Sequence, residues 1–269
     1  MFGKLLKNDL KAQWFSVSLI YLCAFIVCVA LEIGANVLEK PHHVVLCGAG
    51  VVLVLLAASV VTLFAVAVMF RNTMFGKSGY LTLTLPVKTG SLLASKTLSG
   101  LIWIFGIYSL FIGGFILWLY QVKLVFGEEM AATVDSLLEI FGVPSVRTIT
   151  LGTVLLCIFF IAFILLSVQA LYLALTLSQI KPFNSFGAIG TIILFFALTA
   201  GLLFLGGKVS DLLPFNVIIT ETYINFTTIG YTTDTAMNFR LTDDIFNLVA
   251  AIALHFPMKY LIKKKINLK

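Results

Sequence analysis

Apolar residues gather into six long runs along the chain, separated by short polar stretches. The runs are Trp14–Ile33, Val44–Phe70, Leu98–Tyr120, Ile149–Leu177, Ala188–Gly206 and Ile245–Ile262. Each is near or above the ~20 residues that a helix needs to cross ~30 Å of hydrocarbon. The pattern predicts an all-α integral membrane protein with six transmembrane helices, forming a single transmembrane domain over residues 1–269. The second and fourth runs hold 27 and 29 residues. At 1.5 Å of rise per residue they reach roughly 40 Å, so they are expected to tilt or to project beyond the bilayer.

The polar stretches predict smaller features. In Met1–Lys11, Phe2, Leu5, Leu6 and Leu10 share one helical face, with Lys4, Lys7 and Lys11 around the other. This reads as an N-terminal amphipathic helix on the membrane surface, or as a basic flank that orients the first span. Gln121–Thr148 combines Glu128, Glu129, Asp135 and Glu139 with Val134, Leu137, Leu138 and Phe141, the makings of a small amphipathic helix. Gly207–Asp244 is rich in Ile, Phe, Tyr and Thr but too interrupted to span. It reads as a re-entrant segment, a small outer lid or an ordinary loop. Thr242, Asp243 and Asp244 supply a capping hydroxyl and two acids for the start of the last helix.

Composition agrees with a membrane protein. Hydrophobic residues make up 60% of the chain and charged ones only 11%, too few charges to cover a soluble protein of this size. The net charge of +6 lies beside the spans and calls for no nucleic acid. With both termini inside, 13 of the 18 basic residues fall on the cytoplasmic side, together with Asp9 alone of the 12 acids. The positive-inside tendency therefore sets the orientation. Cys23, Cys28, Cys47 and Cys157 all lie in apolar runs and read as small buried hydrophobes.

Candidate chemistry is sparse. Gly76-Lys77-Ser78 has the tail of a phosphate-binding loop, but the required first glycine is replaced by Arg71 and a span precedes it in place of a strand. If ATP drives this protein, another chain binds it. His255, Pro257 and Lys259 sit in the last run, where Lys259 can snorkel and His255 lacks an acidic partner in a neighbouring run. No nucleophile, metal or paired-carboxylate arrangement is visible, so the chain is not expected to be an enzyme.

The most basic segment of the first half is Arg71–Lys96, with Arg71, Lys77, Lys88 and Lys96 and no acid. Within it, Gly79-Tyr80-Leu81-Thr82-Leu83-Thr84-Leu85-Pro86-Val87 and then Leu92-Leu93-Ala94-Ser95-Lys96 resemble the loop joining the second and third spans in permease subunits of type-2 ABC exporters. The six-run layout is also similar. The resemblance implies a cytoplasmic coupling helix, although Leu81–Leu85 alternates with the period of a strand. It implies that Phe75, Gly79, Tyr80, Leu81, Thr82, Leu83, Leu85 and Pro86 form the interface to the ATPase.

It further implies a second permease chain, a homodimer being expected, and two copies of a separate ABC ATPase subunit that bind ATP and Mg. The expected setting is the plasma membrane of a Gram-positive bacterium. The expected cargo is an amphipathic or hydrophobic peptide exported by alternating access. Two rival classes are a secondary transporter or channel, which would need ionisable groups at mid-membrane depth or internal repeats, and a non-transporting membrane immunity protein, which would need no shaped cytoplasmic loop.

Overall fold

The computed structural model describes residues 2–38, 41–76, 79, 87, 89–127, 134, 151–180, 183, 187–219, 224–227 and 237–264. Six long helices carry it: α1 (Phe2–Leu38), α2 (Pro41–Phe75), α3 (Thr89–Phe126), α4 (Leu151–Leu177), α5 (Gly187–Leu212) and α6 (Leu241–Lys264). Each contains a stretch long and apolar enough to cross a membrane, so the chain is an all-α, six-span membrane protein. A soluble helix confines its apolar residues to one stripe, whereas these are apolar almost all round. Large side chains such as Ile192, Phe196 and Phe204 on α5 stay exposed, as lipid contact requires.

The helices outrun the apolar runs. α3 begins at Thr89, nine residues before the expected span, and α1 continues to Leu38. α3 has 38 residues, or ~57 Å at 1.5 Å per residue, well beyond the hydrocarbon thickness. The N-terminal stretch is helical with Lys4, Lys7 and Lys11 exposed and Leu5, Leu6 and Leu10 half-buried, as expected. It is not a separate element, however, since helix runs unbroken from Phe2 to Leu38. The anticipated coupling helix over 80–86, and all of the 121–148 amphipathic helix after Gly127 except Val134, lie outside the described residues.

The described chain packs as two compact units. The first comprises Leu6–Val66 and Ile102–Leu156. In it, Ala24, Ala58 and Ile107 form one buried cluster, and Val44, Leu119, Val122 and Val134 form another. Small residues bring its helices close, as in membrane helix pairs generally. A β-carbon on Gly48 would fall 1.6 Å from Nε1 of Trp118, and that nitrogen donates to the Val44 carbonyl at 3.4 Å. Trp103 carries Trp14 and Tyr21 against its ring, and the Tyr21 hydroxyl donates to the Trp103 carbonyl.

The second unit comprises Met1–Leu5, Ala67–Leu101 and Cys157–Lys269. It includes α4, the most deeply buried of the apolar stretches. Within the 207–244 segment, α5 continues to Leu212, and β1 (Asn216–Ile219), β2 (Ile224–Thr227) and β3 (Met237–Arg240) follow. They form an antiparallel sheet with β1 in the middle. The pairing explains the mixed composition. Val217 pairs with Phe226 and Phe239, while its neighbour Asn216 pairs with Thr227 and Arg240. The next row sets Ile218 against Asn225 and Asn238, and the last is apolar, with Ile219 against Ile224 and Met237.

Thr242 ties this segment down in a way different from the expected helix cap. Its buried hydroxyl accepts the Phe215 amide at 3.1 Å and donates to the Leu213 carbonyl. Asp243 and Asp244 do occupy the first turn of α6, and Pro257 lies inside that helix.

Candidate functional site

The described residues of the basic segment and beside it belong to the second unit, and Phe70, Met74, Leu92, Leu93, Ser95 and Lys96 among them are buried. α2 closes where the Gly76 amide donates to the carbonyls of Arg71 and Asn72, each at 3.2 Å. The chain then folds back, with the Gly79 amide donating to the Gly76 carbonyl at 2.8 Å. A β-carbon on Gly79 would sit 2.5 Å from the carbonyl oxygen of Met74, so only glycine permits so close a return of the backbone.

Phe75, the last residue of α2, is half-buried and sets its ring edge-on to Phe70 at 5.8 Å between centroids. Phe70 in turn lies flat on Tyr172 of α4, with centroids 3.9 Å apart and planes within 9°. The Tyr172 hydroxyl donates to the backbone carbonyl of Lys96 on α3 at 3.2 Å. One aromatic stack therefore links the end of α2 to α4, and one hydrogen bond carries on to the start of α3. Leu93 and Ser95 are fully buried there, and Lys96 is 5% exposed. Of the residues expected at the ATPase interface, the structure describes Phe75 and Gly79. Tyr80, Leu81, Thr82, Leu83, Leu85 and Pro86 lie outside the described residues.

Ala94, Thr97 and Leu98, either side of Lys96 on α3, line a cavity of about 420 Å³ in the same unit. Thr97, Gln169 and His255 give its wall a polar corner, set among Leu98, Leu165 and Ile252. The Gln169 amide nitrogen donates to the Thr97 hydroxyl at 3.4 Å, and that hydroxyl donates to the Leu93 carbonyl at 3.0 Å. The other end of the amide, Oε1 of Gln169, is buried without a hydrogen-bond partner. His255 thus has polar company that its own helix does not reveal. Lys259, one turn further on, is exposed, and a β-carbon on Gly90 of α3 would lie 3.7 Å from its Nζ.

Reading the sequence missed Phe70, Tyr172, Thr97 and Gln169. The one available signal was polarity out of place, because Gln169 is the only amide side chain in the fourth apolar run. Comparison of the chain with known protein families, curated proteins and solved structures gave no match.

Proposed function

We propose that the chain is the membrane-embedded permease subunit of an ATP-driven exporter. Two such chains pair, and each is driven by a separate ATPase subunit that binds ATP and Mg. The cargo is an amphipathic or hydrophobic peptide, moved outward across the plasma membrane by alternating access.

The observation that carries this reading is the basic segment between α2 and α3, with its Gly79–Val87 and Leu92–Lys96 patterns. Its packed surroundings support it. An external subunit can drive spans only through a stiff base, and close-packed interiors transmit displacement. Phe70, Phe75 and Tyr172, with the Lys96 carbonyl, supply such a base where α2 ends and α3 begins. Arg71 and Lys77 also give the segment a charge suited to an acidic docking face.

The test is co-purification in mild detergent with a tag at Lys269. An ATP-binding-cassette chain at one copy per permease, lost on Leu83→Asp while membrane insertion persists, is the expected result. A clean permease under conditions that preserve complexes overturns the reading. The cavity with His255 on its wall then favours the secondary-transporter class, checked by uptake driven by a proton gradient.

A further inference from the structure

The geometry points to a binding site inside the membrane. The cavity between α3, α4 and α6, with Phe2 at the start of α1 on its wall, takes an uncharged amphipathic molecule, with an apolar body and one neutral N–H or O–H that donates to Oε1 of Gln169.

The unpartnered amide oxygen is the starting point. Gln169 is 5% exposed, and a buried amide end without a partner is destabilising because its lost contact with water is not replaced. The orientation of the amide is fixed by its neighbour. The Thr97 hydroxyl donates to the Leu93 carbonyl in its own helix, so towards Gln169 it can only accept. The amide must present its nitrogen to Thr97, and its oxygen is left over. Turning the amide round, with the hydroxyl rotated to donate to its oxygen, would orphan the nitrogen instead and leave as many buried groups unmet.

The surroundings select the rest of the ligand. Among the described residues the wall carries no carboxylate and no lysine or arginine, so a charged head group would find no opposite charge on it. His255 is the one titratable side chain there. As a neutral imidazole it offers one further donor and one acceptor. Leu98, Ile252 and Phe256 are apolar lining residues that remain exposed, Ile252 at 53% and Phe256 at 65%. The cavity therefore opens where a membrane-dissolved chain can slide in sideways. Its volume of about 420 Å³ lies in the ~300–1,000 Å³ range of small-molecule sites. A ten-carbon chain with a small head fits that space. The inference rests on the cavity alone and stands whether or not the chain is an exporter.

The experiment uses the full chain in phosphatidylcholine nanodiscs and a diazirine-bearing decanamide as the photoprobe. Decanamide, decanol and methyl decanoate compete for the site. They match in chain length, and only the first two carry a donor. Labelling is expected on α3, α4 and α6 around Thr97, Gln169 and His255. Decanamide and decanol should compete about five-fold better than the ester, the factor for one net hydrogen bond. A better amide than alcohol points to a peptide-like natural ligand, the reverse to a lipid alcohol. Gln169→Leu should abolish the preference and leave the ester's competition unchanged. Equal competition by all three in the unaltered chain overturns the proposal, since the cavity then holds any acyl chain without reading its head. Labelling confined to other helices, or a preference that survives Gln169→Leu, overturns it as well.

Discussion

Tyr172 does two jobs with one side chain, and they can be separated by substitution. Tyr172→Phe keeps the stack on Phe70 and loses the hydrogen bond to the Lys96 carbonyl. The expected cost is about 1 kcal/mol, seen as a small fall in melting temperature in detergent. Phe70→Ala removes the partner ring from a site only 2% exposed and should cost about 3–5 kcal/mol. Equal losses from the two variants would mean that the stack contributes little. Gln169→Leu should go the other way. It exchanges an orphaned acceptor for an apolar group of similar size, so melting is expected to be unchanged or slightly raised. A drop of several degrees would show that Oε1 has a partner after all. A residue that is retained at a cost to stability is commonly one kept for binding. None of these pairings was legible in the sequence, because Tyr172 and Lys96 lie 76 residues apart and Gln169 and Thr97 lie 72.

At the scale of elements, hydropathy located all six helices and misplaced several of their ends. α3 is the clearest case. Ser91, Ser95, Lys96, Thr97 and Ser99 make its start look like loop, yet Ser95 and Ser99 are fully buried and Lys96 nearly so. Composition registers polarity, whereas the polar start of α3 is held helical by packing against α4. The short strands escaped for a related reason. Four residues hold too little pattern to be read until pairing aligns Val217 with Phe226 and Phe239. Packing between α2 and α3 is itself testable at Gly48. Gly48→Ala places a methyl group inside the Trp118 indole, and the overlap should cost about 1–3 kcal/mol. Gly48→Ala combined with Trp118→Ala should recover much of that loss, measured by thermal unfolding. Additive losses would show that the two residues do not meet.

For the whole molecule, the distribution of charge makes the sharpest statement. The positive-inside tendency predicts Lys269 inside and Glu129 outside. In a background without the native cysteines, a membrane-impermeant maleimide should label Glu129→Cys in intact cells and Lys269→Cys only after lysis. The opposite result would invert every span and remove the basic segment from reach of a cytoplasmic ATPase. Fold class was legible throughout, because six runs of about 20 apolar residues admit few other structures. The functional reading rests on a narrower base, a single segment of 26 residues between two spans.

Pro257 gives α6 a mechanical property that the other described helices lack. Its nitrogen carries no hydrogen, so the Ala253 carbonyl has no amide four residues ahead of it. That missing bond is a missing restoring force, and α6 bends there more readily than elsewhere. His255 and Phe256, between the crease and the wall, lie on the cavity. On the proposed binding, filling the cavity would stiffen that joint, and flexing the joint would resize the cavity. The two effects would be thermodynamically reciprocal, and α6 would act as a lever whose angle reports what the membrane has placed beside it.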